Sequence, residues 1–164
     1  MSDTSRTKTH KVSLAVQYAS SHRLVPTRAQ FRGWIKAALQ RDVQIVLRIV
    51  DEAEGRELNR TYRSKDYATN VLTFVYDDCS VQPVSGQSSM LSGDIVICAP
   101  VVEKEALEQH KDLLAHYVHL TIHAVLHMQG YEHEREKDAA KMESLETALM
   151  LKLRYPDPYQ ETRH

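Results

Sequence analysis

Histidines concentrated in one short stretch are the residues of this sequence best suited to chemistry. Six of the nine histidines lie between His110 and His133. His123 and His127 are four residues apart, so on a helix their imidazoles share one face, one turn apart. Gly130 permits the left-handed backbone that ends a helix, and His133 follows three residues later, where it can approach the first pair from the side. The spacing therefore predicts a metal site formed by His123, His127 and His133.

Zinc is the metal that this set of residues favours. Three neutral imidazole nitrogens suit a tetrahedral zinc ion and leave a fourth position for water. Nickel or cobalt would accept the same ligands, so the residue types alone leave the metal open. His119 lies one turn before His123 and has two interpretations: a fourth ligand, which would close the site, or a packed residue that supports a ligand.

The same spacing occurs in the metzincin metalloproteases, and one residue separates the two cases. Those enzymes carry a glutamate directly after the first histidine, where it is the general base for water at the metal. Ala124 occupies that position here and cannot move a proton. A three-histidine site with a different set of supporting residues is therefore favoured over a protease.

Basic residues form a second candidate site. Arg56, Arg60 and Arg63 recur along one face of a predicted helix, and Lys65 continues the series into the following loop. Arginine suits phosphate because its planar guanidinium donates two parallel hydrogen bonds. Arg56 and Arg60 are expected to pair with acidic residues of their own helix. Arg63 lies at the exit of the helix, where functional residues are commonly displayed, and is the candidate for binding phosphate.

The scaffold that positions these residues is predicted to be one α+β domain spanning residues 1–164, with residues 1–10 flexible. Four strands and about five helices that do not strictly alternate indicate a mixed four-stranded sheet packed with helices, with the metal site at the end of a long helix. Strands are predicted at residues 12–19, 43–50, 70–76 and 94–98, and a loop at 77–92. Helices are predicted after Thr27 to residue 40, and at residues 52–62, 101–109, 112–130 and 136–154. Asp51 and Asp112 are expected to cap helices, and Leu58 and Tyr62 to point inward.

Composition excludes several classes of function. An apolar content of 42% is enough to form a core and excludes a disordered chain. No apolar run approaches the roughly 20 residues of a membrane span, the N-terminus lacks the apolar core of a signal peptide, and two cysteines form no disulfide framework. A cytoplasmic protein without a membrane partner is expected. The net charge of −1 means that any nucleic-acid-binding surface must be local.

Several segments in the right order resemble signatures of one known family. They are Leu-Asn-Arg-Thr-Tyr-Arg-Ser-Lys-Asp (58–66), Thr-Asn-Val-Leu-Thr-Phe (69–74), Gly-Asp-Ile-Val-Ile (93–97), the histidine motif, and Tyr-Pro-Asp-Pro-Tyr (155–159). The family is that of the bacterial YbeY-type endoribonucleases, and the resemblance extends from about Val43 onward. Ala124 stands where the family usually has glycine, and Glu132 where it usually has aspartate. Neither departure removes a ligand.

The resemblance implies a fold, an activity and a set of roles. It implies one zinc ion held by His123, His127 and His133, with Arg63 as the catalytic or substrate residue and Lys65 as a supporting RNA-binding residue. The implied activity is cleavage of single-stranded RNA in ribosomal RNA processing, at the 3′ end of small-subunit rRNA, and in ribosome quality control. The implied partners are the small ribosomal subunit and its proteins, and no DNA. The alternatives are an assembly factor with a structural zinc, and a zinc hydrolase of another substrate such as a peptide.

Overall fold

A four-stranded sheet organises the protein, which a computed structural model describes over residues 9–76, 90–132 and 135–159. In chain order the elements are β1 (Val12–Ala19), α1 (Arg28–Ala37), β2 (Val43–Val50), α2 (Glu52–Arg63), β3 (Val71–Tyr76), β4 (Leu91–Cys98), α3 (Ala99–Glu108), α4 (Leu113–Met128) and α5 (Glu136–Lys152). Over these residues the predicted α+β fold, with one mixed sheet and five helices, is confirmed. None of the helices described here has the length and apolar character that crossing a membrane requires.

The order of the strands places β3 at one edge of the sheet. The order is β1-β2-β4-β3, in which β1, β2 and β4 run parallel and β3 pairs antiparallel with β4. The parallel strands β1 and β2 are joined through α1, as a parallel pair requires a crossover. Since β3 has a hydrogen-bonded neighbour on one side only within the described sheet, elements from both faces can meet along its other side.

Two apolar clusters lie on opposite faces of the sheet because side chains of a strand alternate between faces. The larger cluster includes Ile95 and Ile97 of β4 and most apolar residues of α4. The smaller cluster includes Val96 and Cys98 of the same strand, and Leu58 of α2 packs against it. The helix with the histidines and the helix with the arginines therefore cover different faces.

Local sequence chemistry sets several helix ends. Thr27 caps α1 in a capping box, in which its hydroxyl accepts from the Gln30 amide at 3.1 Å and the Gln30 side chain accepts from the Thr27 amide at 2.9 Å. The Asp112 carboxylate accepts from the Ala115 amide at 3.1 Å and begins α4 as predicted. Gly130 follows the end of α4 with a φ of +105°, in the region that only glycine adopts readily.

Two side-chain predictions were wrong because partners distant in sequence intervene. Asp51 precedes α2, but its carboxylate accepts from the Ser20 hydroxyl at 2.5 Å and the Ser21 amide at 3.1 Å instead of capping the helix. These hydrogen bonds lower the pKa of Asp51. Tyr62 does not point inward: it is 65% exposed and lies edge-on against Phe74, with ring centroids 5.2 Å apart.

The last strand was predicted too short. β4 begins at Leu91 instead of residue 94, because Leu91 to Gly93 pair with Val43 to Ile45 of β2 although they show little apolar alternation. After Cys98 the chain enters α3 at once, with Pro100 in the first turn, where its missing amide hydrogen costs nothing. Of the loop predicted at 77–92, residues 77–89 lie outside the described residues.

Candidate metal and phosphate site

The two helical histidines share a face of α4, as their spacing requires. The rings of His123 and His127 are nearly parallel, at 7°, with centroids 6.5 Å apart. His133, the third predicted ligand, lies outside the described residues. Within the described ranges no group of three or more His, Cys, Asp or Glu side chains could hold a metal ion, so the ligand set remains a prediction.

The hydrogen bonds of both rings suit metal binding. His127 Nδ1 lies 3.1 Å from the carbonyl oxygen of Tyr131, which can only accept, so Nδ1 carries the proton and donates. His123 Nδ1 lies 2.5 Å from Glu146 Oε2 and donates in the same way. In this tautomer the lone pair is on Nε2 of each ring, the state in which a histidine ligates a metal. The donor chemistry of the two residues therefore fits zinc.

The turn after α4 positions the partner of His127. The Tyr131 amide donates back to the Leu126 carbonyl oxygen at 3.1 Å, and the Gly130 amide to that of His127 at 3.1 Å. The left-handed backbone at Gly130 permits this reversal. The turn therefore brings the Tyr131 carbonyl within reach of the His127 ring.

Glu146 of α5 is a site residue that sequence reasoning missed. Its side chain is fully buried, and it accepts hydrogen bonds from His123, from His119 at 3.0 Å and from the Tyr159 hydroxyl. Burial opposes ionisation, but these hydrogen bonds outweigh it and lower the pKa of Glu146 to about 2. Its signal was available: Met142, Glu146 and Met150 follow each other at four-residue spacing, which puts a carboxylate on the buried face of the helix.

Tyr159 was named in the sequence only as part of a motif. Its ring lies edge-on against His119, with centroids 5.2 Å apart, and its hydroxyl donates to Glu146. Burial and the neighbouring carboxylate raise the pKa of Tyr159, so the hydroxyl keeps its proton. His119 therefore contacts Glu146 and Tyr159, which supports the interpretation of a packed residue beside a ligand over that of a fourth ligand.

The exit of α2 lies beside the histidine helix, as the two candidate sites together require. Arg63 and Lys65 line a cavity of about 350 Å³ at the β3 edge, together with His119, His123 and Tyr159. His127 is not among the residues that line it. The structure thus brings Arg63, Lys65 and His123 to one cleft.

Asn59 of α2 holds the loop that carries Lys65 through a hydrogen bond. This residue is 2% exposed, and its side-chain amide donates to the Tyr67 carbonyl at 2.8 Å. Ser64 ends α2 in the left-handed conformation, with φ of 58°, and the Lys65 amide donates back to the Asn59 carbonyl at 3.3 Å. The chain therefore turns sharply after Arg63 and remains beside the cleft.

The other two arginines of the series are engaged elsewhere. Arg60 pairs with Glu57 at 2.5 Å on its own helix, as predicted. Arg56 instead forms a bidentate pair with Asp66, at 2.7 and 2.9 Å, beyond the end of the helix. Across the described residues Arg63 forms no ion pair and is exposed, so its guanidinium can reach a phosphate in the cleft.

Fold and cleft together describe an α+β protein in which histidines and exposed basic residues meet, a combination suited to phosphodiester chemistry. A family profile described as "Endoribonuclease YbeY" matches residues 15–154. The chain belongs to the YbeY endoribonuclease family.

Individual relatives agree over most of their length. The protein named Endoribonuclease YbeY from Nitrosospira multiformis is 56% identical over 160 residues, covering 94% of this chain and 85% of the relative. Those of Nitrosomonas europaea and Methylobacillus flagellatus are 55% and 51% identical, covering 89% and 93% of this chain and 84% and 97% of the relatives. A solution structure of TM1509 from Thermotoga maritima is 20% identical, with a TM-score of 0.49, covering 92% of this chain and 99% of that chain.

Proposed function

We propose that this protein is a zinc-dependent endoribonuclease that cleaves single-stranded ribosomal RNA, with roles in maturation of the small-subunit rRNA 3′ end and in ribosome quality control. The observation that carries the proposal is the meeting of Arg63, Lys65 and His123 in one cleft, in a chain whose relatives are named endoribonucleases. RNA is the substrate class that follows from those names. The ribosome and its small-subunit proteins are the partners that we propose.

His123, His127 and His133 would hold the zinc ion. The Nδ1 protons of His123 and His127, donated to Glu146 and to the Tyr131 carbonyl, support this assignment because they place both lone pairs on Nε2. When bound, zinc supplies Lewis-acid activation of water and of phosphoryl oxygens at neutral pH.

Arg63 is assigned to the phosphate at the scissile bond. Its guanidinium donates two parallel hydrogen bonds to phosphoryl oxygens and opposes the charge that gathers on them in the transition state. Removing a donor of this kind costs roughly 3–4 kcal/mol, or about 10²–10³ in kcat. Lys65 contributes a point charge on a flexible stem, which suits a neighbouring phosphate of the backbone. Single-stranded RNA fits this role because its unstacked nucleotides can enter a narrow cleft.

The test is cleavage of an end-labelled single-stranded fragment from the 3′ end of small-subunit rRNA. Arg63→Ala and His127→Ala are compared with the wild type, and Arg60→Ala is the control because it removes an exposed arginine one turn away that pairs with Glu57. We expect cleavage to fall by about 10²–10³ in Arg63→Ala, to be lost in His127→Ala, and to persist in Arg60→Ala. Equal cleavage by all four proteins would refute the proposal.

Chelation separates this function from the alternatives. A catalytic zinc predicts that a chelator abolishes cleavage, that added zinc restores it, and that the far-ultraviolet circular dichroism is retained. An assembly factor with a structural zinc predicts unfolding on chelation instead. A peptide hydrolase is disfavoured because Ala124, at the position of the metzincin base, has no group that can move a proton, and its side chain is fully buried. The ends of the RNA products decide the attacking group, since a 2′,3′-cyclic phosphate would require attack by the ribose 2′-OH.

A further inference from the structure

We propose that Glu146, held in place by Tyr159 and His119, is a positioning residue that fixes the orientation and the tautomer of His123. The inference rests on the proposed function, because it takes His123 to be a metal ligand. It also assigns a role to the Tyr-Pro-Asp-Pro-Tyr segment at residues 155–159, whose last residue, Tyr159, lines the cleft.

The two oxygens of Glu146 are divided between different partners. Oε1 accepts from His119 Nε2 at 3.0 Å and from the Tyr159 hydroxyl, whereas Oε2 accepts from His123 Nδ1 at 2.5 Å. Two donors on Oε1 fix the plane of the carboxylate, and the plane determines where Oε2 points. His119 and Tyr159 line the same cavity as His123, and their hydrogen bonds act on His123 through Glu146.

The burial of Glu146 requires that both of its carboxylate oxygens have hydrogen-bond donors. A fully buried carboxylate is costly unless its oxygens are hydrogen-bonded, and Glu146 has 0% exposure. Three donors converge on it from α4 and from the C-terminal segment. A buried charge satisfied in this way, on the nitrogen opposite the one that would ligate the metal, is the pattern by which carboxylates orient metal-binding histidines.

The segment at residues 155–159 delivers the Tyr159 hydroxyl to this carboxylate. Asp157 Oδ1 accepts from the Tyr159 amide at 2.9 Å and from the Thr147 hydroxyl at 3.2 Å, which ties the segment to α5. Lys111 Nζ donates to the Pro158 carbonyl at 3.0 Å and ties it to the connection before α4. Proline restricts the backbone between these ties, so Tyr159 reaches Glu146 at little further entropic cost.

The test compares Glu146→Gln, Tyr159→Phe and, as the matched control, Tyr155→Phe, which makes the same change in the same segment away from Glu146. Zinc affinity is measured by competition with a chromophoric chelator. The tautomer of His123 is measured from ring ¹⁵N chemical shifts of the metal-free protein. We expect Glu146→Gln to lower zinc affinity by about 10- to 100-fold, Tyr159→Phe to lower it by a smaller factor, and both to mix the tautomers of His123. Tyr155→Phe is expected to match the wild type.

The results distinguish the positioning role of Glu146 from the proposed nuclease function. Wild-type zinc affinity and an unmixed Nδ1–H tautomer in both variants would overturn the positioning role even if the protein cleaves RNA. Loss of affinity in the variants of a protein that cleaves no RNA would support the positioning role and refute the proposed function. Failure of the wild type to bind zinc would overturn both. If Glu146→Gln does not fold, Tyr159→Phe decides, because it removes only one hydroxyl.

Discussion

Replacing Gly93 by alanine tests how closely the histidine helix packs on the sheet. Gly93 is buried in β4, opposite Val75 of the edge strand. A β carbon at this position would lie 2.4 Å from Met128 Cε and 2.6 Å from the Phe74 carbonyl oxygen. Met128 is the last residue of α4 and follows His127 directly. The absence of a side chain at Gly93 therefore lets the end of α4 that carries His127 lie against the sheet.

The contact with Met128 is easier to relieve than the contact with the Phe74 carbonyl oxygen. Carbon atoms pack favourably at about 3.5–4.0 Å, so the Met128 methyl group must move by roughly 1 Å or more, which its flexible side chain allows. The Phe74 carbonyl belongs to the backbone and moves only if β3 shifts. Overpacking lowers the free energy of unfolding by about 1–3 kcal/mol. Alanine also makes the unfolded chain less flexible than glycine does, which raises the free energy of unfolding by about 0.4–1 kcal/mol. We expect a net loss of about 1–2 kcal/mol, and a Tm lower by about 2–8 °C for a chain of this size.

Urea unfolding and calorimetry measure this loss, and Gly33→Ala is the matched control. Gly33 is exposed within α1, and a β carbon there meets no atom within 4 Å. Alanine should therefore stabilise the helix there by about 0.5–1 kcal/mol, so the two substitutions have opposite signs. Met128→Ala should also cost less in the Gly93→Ala background than in the wild type, by about 0.5–3 kcal/mol of coupling. A Gly93→Ala protein as stable as the wild type, or no coupling to Met128, would refute the close approach.

Three further predictions concern Glu105 of α3, Gly130 after α4 and Asn59 of α2. Burial opposes ionisation of Glu105, but its hydrogen bonds, first that from His116, lower its pKa. The stability that the ionised Glu105 contributes is therefore complete above its unfolded pKa and is lost as the pH falls through its folded pKa. Urea midpoints should show Glu105→Gln less stable than the wild type at pH 7 and converging with it towards pH 3. Gly130→Ala forces a side chain into a φ of +105° and should lower the stability measured by thermal unfolding by about 1 kcal/mol or more. An unchanged stability would contradict a left-handed backbone at residue 130. Asn59→Ala removes the donor to the Tyr67 carbonyl and should cost about 1–3 kcal/mol of stability. The substitution should also weaken RNA binding through the Lys65 loop, and unchanged binding would show that the loop does not depend on Asn59.

The predictions that were confirmed rest on signals contained within short segments. β1 and β2 have the predicted bounds, and in β2 the alternating residues Val43, Ile45, Leu47 and Ile49 are buried whereas Gln44 is exposed. α4 begins at its predicted cap, Asp112, and is followed by Gly130. The shared face of His123 and His127 follows from helical geometry alone once the helix is known.

The predictions that failed depend on partners far away in the sequence. Asp51 has the residue type of a helix cap, but Ser20 lies 31 residues earlier and reaches its carboxylate across the end of β1. Tyr62 fits an inward position by periodicity, yet it lies beside Phe74 on the surface. Glu146 is a different case, because no prediction was made for it: its place on the buried face of α5 could be read from the sequence, but the hydrogen bonds that make its burial possible come from another helix and the C-terminal segment. The partners in tertiary contacts of this kind are not specified by the local sequence.

The position of β3 explains how the candidate site is assembled from two faces of one sheet. Arg63 ends a helix that packs against the Val96 and Cys98 face, whereas His123 belongs to the helix on the Ile95 face. The sheet separates side chains of its two faces, and they can meet only beyond an edge strand or beyond the strand ends. β3 forms that edge and runs antiparallel to β4, so the loop that joins α2 to β3 opens beside α4. A central position for β3 would keep Arg63 and His123 apart, and the edge position therefore brings the arginine and the histidine to one cleft.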